Sequence, residues 1–141
     1  MANQVLWKAP TARTSGISAD TIAAGSNEIG SEIDNEVNLD RYMSAELTWT
    51  CATASTENEV MELYILYSLD GTNYEDGSDS VDPKKSPVAV FVDDGGTAVQ
   101  KQTVSGISIK PFAFKALLKS ELTNSAASVT LDIETYNEEV Q

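Results

Sequence analysis

The chain has no histidine, a single cysteine, four prolines and only nine basic residues against 22 acidic ones in 141. Without histidine, no Ser-His-Asp or Cys-His arrangement can form for nucleophilic catalysis. The His-containing zinc sites go with it, and one cysteine cannot replace them. Cys51 alone allows no intrachain disulfide; its neighbours give it an inward strand position, as a small buried hydrophobe. Neither GxxxxGK[ST] nor GxGxxG occurs, so the phosphate-cradling loops are missing too. With 22 carboxylates some pair always lies at a plausible distance for glycoside hydrolysis, so such a pair carries no information, and the chain reads as a non-enzyme.

Basic residues are scarce enough to exclude partners as well. Binding a phosphate backbone draws on Lys and Arg displacing condensed counterions, and a net charge of −13 with a pI near 4.1 opposes this. Nucleic acid and anionic membrane surfaces are therefore not expected partners; the charge keeps copies soluble and apart until a specific contact forms. No apolar run approaches the ~20 residues of a membrane span. The start, MANQVLWKAPTARTSG, lacks the apolar core of roughly 7–15 residues of a secretory signal, so synthesis and folding in a cytosol are expected.

What is present is strand periodicity. From Met43 to Cys51 apolar and polar residues alternate strictly, which puts Met43, Ala45, Leu47, Trp49 and Cys51 on one face. From Val60 to Leu69, Met61, Leu63, Ile65, Tyr67 and Leu69 share a face, while the other face, with Tyr64 and Leu66, is half apolar; this predicts a central strand whose second face is partly covered. Asp70-Gly71 follows as a favoured hairpin dipeptide. Val88–Val92 is a short apolar strand, Asp93-Asp94-Gly95-Gly96 a turn, and residues 97–105 a polar strand suited to a sheet edge. Phe112, Phe114, Ala116 and Leu118 alternate with Ala113, Lys115, Leu117 and Lys119, and Pro111 together with this alternation favours strand over helix for 113–122. After a turn at Asn124-Ser125, Val129, Leu131 and Ile133 form a last inward face. About six to eight strands with no helical window predict an all-β fold, an antiparallel β-sandwich or jelly roll.

Residues 1–24 read as an extended N-terminal arm joined to a sandwich domain at 25–141. Lys8 and Arg13 against Asp20 leave the arm at about +1 by count, and it carries the apolar triplet Val5-Leu6-Trp7. Docking of this arm onto a neighbouring subunit makes Val5, Leu6, Trp7, Lys8 and Arg13 the candidate partner-binding residues; the plain alternative is a first strand of the same domain. The segment 70–82 packs five carboxylates and Asn73 into thirteen residues. It is read as a solvated loop. Calcium, which takes about six to eight oxygen ligands, is the alternative there, although the EF-hand spacing is missing; no other cofactor is indicated. Tyr42, Tyr64, Tyr74 and Tyr136 are candidates for exposure, to glycan or to protein.

Four stretches together carry a resemblance: Gly25–Asn35 with the Arg41–Thr50 strand, Tyr64-Ile-Leu-Tyr-Ser-Leu-Asp-Gly-Thr-Asn-Tyr-Glu-Asp-Gly77, Pro111-Phe-Ala-Phe-Lys-Ala-Leu-Leu-Lys119, and Tyr136-Asn-Glu-Glu-Val140. In this order they resemble small virion structural proteins of tailed bacteriophages, most of all the jelly-roll decoration, or cement, proteins. The resemblance implies a location on the outer surface of the phage head, the major capsid protein or other virion proteins as partners, and a homo-oligomer, dimer or trimer. The Tyr-Ser-x-Asp-Gly-x-x-Tyr hairpin is also similar to hairpins of discoidin-like and other carbohydrate-binding sandwiches. A carbohydrate-binding module, or a tail or neck protein of the particle, therefore stands as the alternative.

Overall fold

The computed structural model describes residues 5–7, 9–10 and 13–140. They form ten strands, with no helix among the described residues: β1 (Val5–Trp7), β2 (Thr14–Ile22), β3 (Asn27–Ile33), β4 (Tyr42–Cys51), β5 (Val60–Ser68), β6 (Ala89–Val92), β7 (Gln100–Ser108), β8 (Ala113–Ser120), β9 (Ala126–Tyr136) and β10 (Glu138–Val140). Eight of them build two antiparallel four-stranded sheets, ordered β2-β9-β4-β7 and β3-β8-β5-β6; β1 and β10 pair with each other in a separate ribbon. The chain passes from one sheet to the other at almost every connection, which is the jelly-roll form of the β-sandwich.

The alternation read from the sequence is what drives the two sheets together. Met43, Ala45, Leu47, Trp49 and Cys51 of β4 all point inward and are buried, as are Val129, Leu131 and Ile133 of β9. Facing them are Met61, Leu63 and Ile65 of β5, Phe91 of β6, and Phe114, Ala116 and Leu118 of β8, in one continuous core. Each of the Val, Leu, Ile, Met and Phe side chains among them contributes about 1.5–3 kcal/mol on leaving water. β5 is central and β7 is an edge, as their composition predicts.

Three expectations need correction. The sandwich begins at Thr14, not at residue 25: β2 pairs with β9 and buries Ile17 and Ile22. Those isoleucines stand five apart, out of phase with a two-residue period. Second, Asn27–Ile33 is a strand that the polar sequence NEIGSEI hides; β3 is held by pairing with β8. Third, the Asp70-Gly71 turn exists, with Gly71 at φ 68° and the Asp70 carboxylate accepting from Thr72 N (2.9 Å) and Asn73 N (2.7 Å). It does not join two paired strands, because the chain runs on to residue 88 before β6 returns to pair with β5.

The two long sides of the sandwich close differently. On one side β2 and β3 touch through Gly16 and Gly30, each at a register irregularity of its strand. A Cβ on Gly30 would stand 1.8 Å from the Gly16 carbonyl oxygen, so only glycine lets these edges meet. On the other side two glutamines of β7 reach across to β6. Gln102 accepts from Val92 N (3.0 Å) and donates to Val92 O (2.5 Å). Gln100 accepts from Asp94 N (3.0 Å) and donates to the Asp93 carboxylate (3.0 Å).

Asp93 itself is 1% exposed. Its carboxylate also accepts from Trp49 Nε1 (3.0 Å), from Gly95 N (2.6 Å) and from the Cys51 thiol (3.6 Å). Its backbone is bonded to Glu59 and Asn58 at the entry to β5. Burial pushes its pKa up, but the donors from Trp49, Gly95 and Gln100 outweigh burial and hold it below the ordinary 3.8. Burial also pushes the Cys51 thiol up, so it stays a protonated, inert group.

Gly30→Ala is expected to cost about 3 kcal/mol or to prevent folding; Gly25→Ala, at a left-handed turn with open space around it, should cost roughly 1 kcal/mol in the same urea unfolding series. Asp93→Ala leaves several buried donors unsatisfied and should cost about 3–5 kcal/mol. Because the Asp93 pKa is lower folded than unfolded, its contribution is whole above about pH 4 and fades as the pH falls through the folded value. Stability measured from pH 5 to about pH 2 should therefore decline less steeply in Asp93→Asn than in the parent.

Candidate functional site

The five carboxylate residues of the acidic loop are exposed, as a solvated loop requires, yet each also accepts hydrogen bonds or ion pairs that order the loop, several of them from the sheet over which it lies. Asp70 closes its turn, and the Asn73 and Ser68 side chains add further donors that hold its pKa well below the carboxylate range. Glu75 pairs with Lys85 (2.6 Å) and accepts from Tyr67 N (2.9 Å). Asp76 pairs with Lys84 (2.8 Å), and Asp79 accepts from Ile29 N (2.8 Å). Asp82 pairs with Lys119 (3.1 Å) and accepts from Asn27 Nδ2 (3.1 Å), which donates as well to the carbonyls of Ser78 and Val81. Beneath this strap lie Tyr64, Leu66 and Leu117, a small second core that accounts for the half-apolar outer face of β5. Gly77, at φ 153°, sits so close to Leu66 that a Cβ would stand 2.9 Å from its Cδ1.

This arrangement bears on two ligand classes. The loop carboxylates are spread along the strap, and among the described residues no three Asp, Glu or Cys side chains converge as a metal would require. Of the four tyrosines expected at the surface, Tyr64 is buried under the strap and hydrogen-bonded to Glu62. Tyr74 is bonded to Glu32 and covered by the Lys115 ammonium, 4.5 Å from its ring centre. Tyr42 and Tyr136 stack on each other at 5.8 Å between centroids, across paired strands.

The expected partner-binding residues separate. Val5, Leu6 and Trp7 form β1, with Leu6 opposite Glu139 and Trp7 opposite Glu138 of β10; Lys8 lies outside the described residues. Arg13 is not a free cation for a partner. It lies on the outer face of the first sheet, bonded to Glu46 and 2.6 Å from Asp132, with Lys101 on the other side of Glu46 at 3.0 Å. Lys101 and then Arg13 hold the Glu46 pKa down to about 2.

What the sequence did not reveal is a groove at the pole where β4 starts and β7 and β9 end, with Tyr42 opposite both Ser108 and Tyr136. It measures about 490 Å³ and is lined by Leu39, Arg41, Tyr42, Lys110 and Pro111 among others. Buried Asn35 fixes its walls: its amide donates to the carbonyls of Asp40 and Lys110 (both 2.8 Å) and accepts from Asp40 N (2.9 Å). Asn137, the one residue between β9 and β10, donates to Leu39 O and accepts from Arg41 N (both 3.2 Å). Arg41 and Lys110 are 69 positions apart, and no periodicity links them; only the β4–β7 pairing does.

No family model and no curated protein matches this chain.

Calcium added at about millimolar concentration, the affinity range of weak extracellular sites, should leave the melting temperature unchanged. Asn27→Ala removes three anchors of the strap at once. It should cost about 1–3 kcal/mol and raise amide hydrogen exchange across 74–85, together with dye binding to the uncovered Leu66 and Leu117.

Proposed function

We propose that this chain is a non-enzymatic structural protein of a tailed-phage particle, a decoration or cement protein that binds the outside of the head shell and stabilises it. The mechanism is mass action: a protein that binds only the assembled shell lowers the free energy of that state alone. The observation that carries the reading is where the polar chemistry goes. The buried carboxylate of Asp93 is saturated by its own scaffold, and the loop carboxylates are spent on holding the strap. Of the exposed large apolar side chains among the described residues, Val37 and Leu39 in the β3–β4 loop and Leu69 after β5 lie near the terminal pole, while Val81, Val90, Val92 and Val99 lie elsewhere on the surface. A jelly roll whose polar groups are occupied within its own scaffold and whose surface carries exposed apolar side chains is suited to attachment. The resemblance noted in the sequence supplies the class of partner, the major capsid protein or another virion protein.

The carbohydrate-binding alternative draws on coplanar exposed rings. Of the four tyrosines, Tyr64 and Tyr74 are engaged, and in the remaining Tyr42–Tyr136 pair the two rings stack on each other. A tail or neck location would use the same apolar surface in a different ring.

The test is made on particles of the phage whose genome carries this chain. Antibody labelling is expected on the head exterior, and particles assembled without the protein should rupture at lower temperature and regain stability when purified protein is added back. Absence of the protein from purified particles, or specific binding on a glycan array with none to heads, would overturn the reading.

A further inference from the structure

β6 is shorter than the strand it borders. β5 pairs with β8 along Met61–Ser68, but β6 covers only Val60–Leu63 on the other side. Among the described residues no strand lies beside the rest of that margin. On the β8 side, Glu121 N donates to Val60 O. Alternate residues of an antiparallel ladder turn their backbone groups to opposite sides, so Ile65 and Tyr67 turn theirs to the margin that β6 leaves uncovered. Bare groups of this kind are a template on which another chain can build.

The margin is not bare. Lys85 Nζ donates to Ile65 O (2.8 Å). The Glu75 carboxylate accepts from Tyr67 N (2.9 Å), and Glu75 N donates to Tyr67 O (3.0 Å). The two side chains pair with each other at 2.6 Å, and the Lys85 ammonium stands 5.1 Å from the centre of the Tyr67 ring. The Lys85 side chain is only 28% exposed, which sets this pair apart from the freely solvated kind that contributes little. Burial pushes the Glu75 carboxyl up, but the Lys85 ammonium and the Tyr67 N–H outweigh it and hold its pKa below the ordinary 4.5.

The kind of group used here matters. A strand laid along β5 would satisfy the same amide and carbonyls, and would present a fresh open edge one place further out. Side chains satisfy them and end the ladder. Of the three bonds to this margin, only the one from Glu75 N is main chain to main chain. The same device recurs on the two outer strands of this sheet. Gln102 closes Val92 of β6, and Asp79 takes the N–H of Ile29 in β3 (2.8 Å).

We infer that Glu75 and Lys85 form an edge guard that keeps the β5 margin closed to a second copy of this chain. Without the guard, two copies pair β5 to β5, antiparallel about a two-fold axis, because a margin that offers both an amide and carbonyls is complementary to itself. Exposed Leu69 and half-buried Tyr67 beside it add apolar surface that favours such pairing. The inference goes beyond the attachment reading, since it concerns a contact that the free chain avoids. It is tested on purified protein with no shell present, so the two ideas fail separately.

The experiment compares the full-length parent with Glu75→Ala plus Lys85→Ala by sedimentation velocity from about 10 µM to 1 mM. Exchange of the Tyr67 amide proton is followed by NMR at both ends of that range. The double variant should associate about tenfold more tightly than the parent, or more. Its Tyr67 amide should exchange faster than the parent's at the low concentration, where nothing covers it, and regain protection at the high one, where a second strand does. Adhesion through any other surface would not restore that one amide. Glu75→Gln keeps an acceptor for Tyr67 N and should behave as the parent does. Lys85→Met frees Ile65 O alone and should reproduce part of the association; it carries the test if the double variant no longer unfolds cooperatively in urea. Association no tighter than the parent's in the folded variant, or association of the double variant that leaves the Tyr67 amide unprotected, would overturn the inference.

Discussion

A carboxylate shut away from water at the end of the sandwich is the constraint around which the fold is organised. An ion in that position is tolerable only while donors converge on it. For Asp93 they come from β4 through Trp49 and Cys51, from β7 through Gln100, and from its own turn through Gly95. Those strands lie in one sheet while Asp93 follows directly from the edge strand of the other. The group therefore reports whether the two sheets are in register at that end. Hydrophobic burial pulls the sheets together without much preference for alignment; a desolvated charge has a strong one. The stability it adds is secondary to this. A well-packed apolar substitute is often neutral or better in buried sites, but it would not penalise a slipped pairing.

Polarity elsewhere is handled on the same principle, with charge directed into the scaffold. The outer face of one sheet is polar and carries Ser44, Ser105, Thr103 and the Arg13–Glu46–Lys101 group. The outer face of the other is apolar at its centre and is roofed by the strap. That roof is acidic, yet its carboxylates are bonded to Lys119, Asn27 and backbone N–H groups of the sheet below and to Lys84 and Lys85 of the loop itself. High negative charge and tight local structure are thus compatible, because the ions are distributed along an edge-to-edge seam and do not gather at one point.

The sequence made much of the core legible and little of the periphery. Where one face is dry and the other wet, a two-residue period writes itself into the chain, and β4 shows this from Met43 to Cys51. The half-apolar second face of β5 correctly implied a cover over Tyr64 and Leu66; that the acidic segment just downstream is that cover was hidden, because charge alone reads as solvated. β2 and β3 were lost for a related reason. At Gly16 and Gly30 the register breaks, the alternation loses phase, and the force that makes them strands is pairing with β9 and β8, which no local window contains. The groove was invisible because it is made by antiparallel pairing of residues far apart in sequence. Of the arm, Val5–Trp7 forms β1 and pairs with β10, whereas Arg13 lies on the sheet face and is paired there with Glu46 and Asp132.

The glutamine bridge from β7 to β6 has a consequence for crowded conditions. An edge strand with bare amides and carbonyls, flanked by exposed Val90 and Val92, invites another molecule to continue the sheet sideways. Gln102 fills the outward-facing N–H and C=O of Val92 with its own amide, so a side chain stands where a foreign strand would have to start. A strand added along that flank would meet this side chain at Val92 and lose the first pair of bonds it needs.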